Sequence, residues 1–459
     1  MDREEKIAKK REQLRNKKTT AGKTGGKKKS AGKLQGLLVL VLIAVLVSVL
    51  FSGRNPAGFD AGTMQKTGDP EAKAPDIQAE AAELYIVNLE QPVYQKNADE
   101  KIDPYSITKI LTCYLAIENL DLDQIVTVSE YAATPLEDGT TIFLEAGEEI
   151  SVRDLLYGAM LESGNDAATA LGEAVSGSEK DFAKLMNEQA AEWGCVNTHF
   201  VNANGWKDED HYTTAHDMAL ITARSFENET LREIAMTREY VIGPTNMKGE
   251  RYLESHTLRG TQIEYITGGK TGGWTGSDSS IAVAFSKDGL DGAAVVLRTK
   301  VKNRKPEASK LIAFSKEVTP GFIVAEPGTV ICESMVKGGS RNKVKLCSDE
   351  TIYAYPKGQD EKGVRMEIER TDLEAPVAKG EKAGTYTLYV DDREIKTGDL
   401  YAAEDIEKGW ILSRLYVPDK TGALLCVFLV LWAILFALAC RMPRTGHGRK
   451  TSKKDIQKP

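Results

Sequence analysis

At 459 residues the chain is long enough for two or three domains, and its 41% hydrophobic and 28% charged residues are ordinary for a folded protein. The net charge of −7 hides an asymmetry: residues 1–33 carry roughly +9, residues 441–459 roughly +6, and the body between them about −22. Basic arms on an acidic body suit a nucleic-acid binder, but the apolar runs beside those arms argue against that class.

The first apolar run, Leu34 to Phe51, has no charged residue. It approaches the ~20 residues a helix needs to cross a bilayer. A transmembrane helix is expected over 34–52, behind a basic tail at 1–33. The alternative is a cleaved signal peptide. The long basic region, the long apolar run and the poor cleavage sequence Val47-Ser48-Val49 favour an uncleaved anchor. Residues 53–80, rich in Gly, Pro, Ala and charge, read as a flexible linker.

From Glu83 the texture changes. LYIVNLE and VYQKN flank Gln91-Pro92 as a hairpin. After Asp103-Pro104, residues Ile107, Ile110, Leu111, Tyr114 and Leu115 recur near a helical period. Helices are predicted over Val152–Leu161, Asp166–Val175, Glu179–Trp193 and Ala215–Arg224. Thr214-Ala215-His216-Asp217 has capping-box spacing. Strands return at Glu239–Ile242 and Tyr265–Thr267. Ser280–Ser286 and Gly292–Thr299 form a hairpin over Asp288-Gly289, and Glu307–Val318 is a last helix. This order predicts an α+β domain over 81–319, with helices against a mixed or antiparallel sheet. Pro320-Gly321 marks a boundary, and short strands separated by turns predict a small all-β domain over 320–412. A second charge-free run predicts a transmembrane helix over 421–440, followed by a basic tail at 441–459. Both basic flanks lie on the terminal sides, so the positive-inside rule puts both tails in the cytoplasm and the body outside the cell membrane.

An outside body permits disulfides. Cys332 and Cys347 would close a short loop, although Cys113, Cys195, Cys332 and Cys347 read equally well as unpaired small residues. No CxxC pair occurs and the five histidines lack a ligand frame, so neither a metal nor a cofactor is expected.

Three short motifs carry chemistry. Ser106-Ile107-Thr108-Lys109 is S-x-x-K, Ser163-Gly164-Asn165 is S-x-N, and Lys270-Thr271-Gly272 is K-T-G. Each pattern recurs elsewhere: at Ser30 and Ser340 for S-x-x-K, at Ser340 for S-x-N, and at Lys23, Lys66, Lys396 and Lys420 for K-T-G. Context selects one set. Ser106 stands where a helix starts, with its backbone N–H free of an internal partner and the helix dipole behind it. Lys109, one turn on, shares its face, and a desolvated lysine near other cations can serve as a base for serine. Ser163 lies in a loop between helices, where it can relay a proton, and the Asn165 amide can bind a substrate carbonyl and orient the lysine. An edge strand would bring Lys270 into the cleft, with Thr271 placed to hold a carboxylate and Gly272 leaving room for a peptide.

Together the motifs resemble the penicillin-recognising serine enzymes. PYSITKILT resembles the PAS-x-TK-x-x-T signature of the low-molecular-weight penicillin-binding proteins, the serine-type D-Ala-D-Ala carboxypeptidases. LLYGAMLESGNDAATAL, NTHFVNANGW and HYTTAHDMALI also look like segments of that family. The resemblance covers roughly 81–410. It implies a β-lactamase/transpeptidase-like catalytic domain and an enzyme that trims the terminal D-alanine from peptidoglycan stem pentapeptides and binds β-lactams covalently. It makes Ser106 the acylated nucleophile and Lys109 its base, with Ser163 and Asn165 assisting. Lys270 and Thr271 contact the substrate carboxylate, which Arg304 steadies, and the N–H groups of Ser106 and Gly273 form the oxyanion hole.

The chain also departs from the family. Tyr105 replaces a small residue, GWTGSDSS lacks an Ala-Gly pair, and a second span replaces an amphipathic C-terminal helix. A β-lactamase, an endopeptidase or transpeptidase of the same superfamily, and a catalytically silent wall-binding scaffold stay open as alternatives. The β-lactamase reading calls for S-D-N and a glutamate that activates water, where this chain has S-G-N.

Overall fold

The computed structural model describes residues 39–41, 43, 58–60, 62, 64–274, 278–415 and 417–441, the last four by backbone alone. The tails at 1–33 and 442–459 and nearly all of the expected span at 34–52 lie outside these residues.

The chain opens with β1 (Gln65–Thr67), β2 (Ala81–Ile86) and β3 (Gln91–Lys96). A 3-10 turn over Tyr105–Thr108 runs into α1 (Lys109–Asn119). The pair β4 (Ile125–Thr127) and β5 (Glu149–Ser151) brackets the one-turn α2 (Glu130–Ala133). The helical block continues as α3 (Val152–Met160), α4 (Asn165–Ser176), α5 (Glu179–Glu192), α6 (Ala215–Ser225) and α7 (Glu229–Met236). Then come β6 (Glu239–Ile242), β7 (Arg251–Glu254), β8 (Ile266–Gly273), β9 (Asp278–Lys287), β10 (Leu290–Lys300) and α8 (Val301–Val318). The second part holds β11 (Gly321–Ala325), β12 (Val330–Lys337), β13 (Lys343–Cys347), β14 (Ile352–Ala354), β15 (Val364–Arg370), β16 (Leu373–Glu374), β17 (Lys382–Val390) and β18 (Arg393–Ala402). The last helix is α9 (Asp419–Arg441).

The main sheet has the order β3-β2-β10-β9-β8, with every neighbouring pair antiparallel. Its central strands are apolar on both faces because both are covered. Ala282, Ala284, Ala293, Val295 and Leu297 face the helical block. Ile281, Val283, Phe285, Ala294 and Val296 alternate with them and pack on Leu311, Phe314 and Val318 of α8. The β9–β10 hairpin turns at Asp288 and Gly289 with φ of 55° and 78°, the paired positive values of a type I′ turn.

Of the two sheet types expected, the main sheet is the antiparallel one throughout, and α8 covers the face opposite the other helices. Several other expectations are corrected. Helix α8 starts at Val301, so Arg304 lies on a helix and not in a loop, and Pro306, its sixth residue, stands inside the helix. Asn165 is the first residue of α4, with Ser163 and Gly164 leading into it. The Thr214 box forms by half: Thr214 Oγ1 accepts from Asp217 N at 3.1 Å, but the Asp217 carboxylate turns to Asn197 N and Thr198 Oγ1. Cys332 and Cys347 are free thiols. Cys332 pairs across the strands with Leu346 and shares its buried face, so Cys347, the next residue, points to the other face.

Within the stretch expected as a linker, β1 pairs with β11 in a three-stranded sheet β1-β11-β14. The other strands of the second part form a six-stranded sheet, β15-β17-β18-β13-β12-β16. Helix α9 is long and apolar enough to cross a membrane.

Candidate active site

The cleft lies where the start of α1, the start of α4 and strand β8 meet. Tyr105, with φ of 53°, turns the chain so that Ser106 enters the 3-10 turn ahead of α1. A tyrosine in that region is a sterically costly residue, which marks the turn as held by its surroundings. Ser163 is in a similar conformation, with φ of 65°.

Lys109 is fully buried. Its Nζ lies 3.0 Å from Ser106 Oγ, 2.7 Å from Asn165 Oδ1 and 2.5 Å from the Asn204 carbonyl. Three acceptors suit an ammonium. They also suit a neutral amine: its two N–H groups go to Asn165 and Asn204, which aims the lone pair at the Ser106 hydroxyl. Burial, then the charge of Lys270, pulls the Lys109 pKa well below its ordinary value.

Lys270, also fully buried, donates from Nζ to Ser163 Oγ at 3.0 Å and to the Thr271 carbonyl at 3.0 Å. Burial, then the Arg304 guanidinium, lowers its pKa to about 7. Arg304 donates to Ser279 Oγ at 2.6 Å and to the Gly272 carbonyl at 3.5 Å, and its own pKa is lowered by burial.

Gly272 has no room for a side chain. An added Cβ would stand 3.0 Å from both the Ser106 nitrogen and the Pro104 carbonyl. Gly273 ends the strand with φ of 150°, a backbone state that side chains rarely adopt.

The structure therefore gathers Ser106, Lys109, Ser163, Asn165, Lys270, Thr271, Gly272, Gly273 and Arg304 around one groove. Ser106, Ser163, Thr271, Gly272, Gly273 and Arg304 line a cavity of about 210 Å³. Lys109 and Asn165 sit behind Ser106, and Lys270 sits behind Ser163 and Thr271.

The surroundings explain how the set is held. Thr140 Oγ1 donates to the Ser163 carbonyl at 2.7 Å, and the Asn165 N–H donates to the Thr140 carbonyl at 2.8 Å. The buried Asp166 carboxylate accepts from the N–H groups of Ile142, Leu144 and Ala167. On the other side Thr108 Oγ1 lies 3.0 Å from His211 Nε2, while His211 Nδ1 accepts from Val201 N. The imidazole is thus the neutral Nε2–H tautomer, in line with a pKa lowered to about 4 by burial.

Sequence reasoning missed Asn204, Thr140, Ser279 and His256. The Asn204 contribution is a carbonyl, which no side-chain pattern reports. His256 lines the cavity with its Nε2 3.2 Å from Glu162 Oε2, and burial, then Lys270, lowers its pKa. Among the described residues no group of His, Cys, Asp or Glu is arranged to hold a metal ion.

An antiparallel sheet between helical layers, with a serine, two buried lysines and a glycine-lined strand edge at one groove, defines a penicillin-binding-protein-like serine hydrolase. The chain belongs to the D-alanyl-D-alanine carboxypeptidase family of serine peptidases (Peptidase_S11), whose model matches residues 69–301. The C-terminal domain of penicillin-binding protein 5 matches residues 323–408. The chain is 32% identical over 349 residues to D-alanyl-D-alanine carboxypeptidase DacF of Bacillus subtilis (strain 168), covering 74% of this chain and 88% of that protein. It is 30% identical over 364 residues to DacC of Escherichia coli (strain K12), covering 75% and 88%. The solved structure of penicillin-binding protein 5 from Haemophilus influenzae aligns with a TM-score of 0.50 at 26% identity, over 73% of this chain and all of that one.

Proposed function

We propose that this serine carboxypeptidase removes the terminal D-alanine of peptidoglycan stem pentapeptides through an acyl-enzyme on Ser106. The carrying observation is the buried Lys109 amine 3.0 Å from Ser106 Oγ, its pKa held far down. Neutral Lys109 takes the Ser106 proton as Oγ bonds to the penultimate D-alanine carbonyl carbon. The N–H groups of Ser106 and Gly273 receive the oxyanion. The C–N bond then breaks, and the leaving D-alanine nitrogen gains a proton through Ser163, whose hydroxyl is held by Lys270. The proton delivered through Ser163 is the one Lys109 took from Ser106, so Lys109 is neutral again. Water then attacks the ester, and Lys109 accepts its proton and returns it to Ser106 Oγ as the acyl C–O bond breaks. Protonated Lys270, Thr271 and Arg304 bind the terminal carboxylate, and Asn165 orients Lys109 and the peptide.

β-Lactams would enter by the same attack and stay, because their ring-opened leaving group remains attached. The carboxypeptidase domain is read as 81–319 and the β domain as 320–412, with the outer body tethered by apolar helices and both basic tails in the cytoplasm. The length and apolar character of α9 and the basic residues after it support this topology.

Mass spectrometry decides the chemistry. A muramyl pentapeptide should lose one alanine, and labelled penicillin should mark a Ser106 peptide. Equal labelling of Ser106→Ala, or no alanine release, would sink the reading.

A further inference from the structure

The strap between the β domain and α9 carries three large apolar side chains facing outward. Trp410 is 53% exposed, Ile411 74% and Leu415 56%. This strap is not a loose linker. The Gly409 N–H donates to the Gly338 carbonyl, the Gly338 N–H to the Ser413 carbonyl, and the Ser413 hydroxyl to the Trp410 carbonyl. Ser413 and Val417 are buried, and Leu412 packs toward Gly422 of α9. The helix start is tied in as well: the Asp419 N–H donates to the Ser340 carbonyl at 3.0 Å, and its carboxylate accepts from Trp410 N at 2.7 Å.

A folded strap that buries Ser413 while exposing a tryptophan, an isoleucine and a leucine leaves apolar surface in water. That arrangement is explained if another phase covers it. The surface adjoins the start of α9, and the exposed Leu424, Val427 and Phe428 further along that helix need the same cover. Arg414 in the strap and Lys420 in the first turn of α9 are exposed, and a tryptophan near such cations in sequence is the residue pattern of a membrane–water interface.

We infer that Trp410, Ile411 and Leu415 form a foot that enters the headgroup region of the bilayer. The foot and its hydrogen-bonded joint fix the β domain at a set tilt on the membrane. This rests on the reading that α9 crosses the membrane, and it adds a second, lateral contact surface on the β domain.

The test uses the full chain in vesicles of phosphatidylcholine and phosphatidylglycerol. Trp432 lies in α9 and would report lipid by itself, so the measurements are made on Trp432→Phe and on Trp432→Phe/Trp410→Phe, whose difference isolates Trp410. Trp410 emission should be quenched roughly twofold more by a nitroxide near the headgroups than by one at the bilayer centre, and should resist iodide. The triple variant Trp410→Ser/Ile411→Ser/Leu415→Ser should stay folded and keep its rate on a soluble peptide. If the Trp432 emission, taken as the parent chain minus Trp432→Phe, is quenched from the bilayer centre but Trp410 answers only to iodide, the foot is wrong and the span stands. If Trp432 is not quenched from the bilayer centre, the span is wrong and the foot falls with it.

Discussion

Lys109 and Lys270 are both buried beside one groove, yet their neighbours give them different work. Lys109 faces two fixed acceptors and one hydroxyl, so its useful form is the neutral amine. Arginine keeps its charge in any such site. Lys109→Arg should therefore slow acylation by a fluorescent penicillin by about 10³-fold, in the range of a lost general base. Stopped-flow labelling measures this, and a loss under tenfold would remove Lys109 from the base role.

Lys270 gives a pH signature. Folded, it releases its proton at about 7, while an unfolded chain keeps it to near the ordinary 10.5. Between those values the unfolded chain binds more protons, so this group makes stability rise with pH; below about 7 the full penalty of burying its charge is felt. The melting temperature of the parent protein, minus that of Lys270→Met, should climb from about pH 6 to about pH 9. A flat difference would mean that Lys270 is not strained in its charged form.

At the scale of elements, the groove depends on a loop lashed to a helix start. Asp166 is the second residue of α4, after Asn165, and its carboxylate holds the backbone of Ile142 and Leu144. Asp166→Ala leaves those buried N–H groups without an acceptor. It should cost about 2–4 kcal/mol by thermal denaturation, with loosened binding at Ser163 and Asn165.

Helices α3, α4, α5 and α6 were legible in the sequence to within a residue or so because each has a strong apolar period and a polar start. The convergence of the three motifs was legible because their order matched helix start, interhelical turn and strand. What sequence could not show has physical reasons. The start of α8 was hidden by Pro306, which reads as a breaker yet stands inside the helix, five residues past its start. The β6–β7 hairpin was half hidden because β7 is short and polar. Asn204 acts through its main chain, and the opposite faces of Cys332 and Cys347 follow from strand register, which spacing alone does not fix.

At the scale of the whole molecule, the two parts are joined by packing as well as by chain. Tyr355 lies just after β14 in the second part, yet it is buried in the cluster that α8 forms with the main sheet. Among the described residues its hydroxyl has no hydrogen-bond partner. Tyr355→Phe should hold or raise the melting temperature by removing a stranded polar atom. Tyr355→Ala should cost about 3–5 kcal/mol, and calorimetry should then show the two parts melting apart. A single undisturbed transition in the alanine variant would deny the coupling.

Strand β8 is the last strand of the main sheet among the described residues, so one side of its main chain forms a rim of the groove with no strand beside it, although the Thr271 N–H already donates to Thr257 Oγ1. A ligand laid on that rim is judged by straightness and by the spacing of its amides before any side chain is sensed. N-methylating the one ligand amide that faces the rim should abolish binding, whereas trading a side chain that points away should scarcely be noticed. Cyclic or sharply bent peptides of the same composition should be ignored.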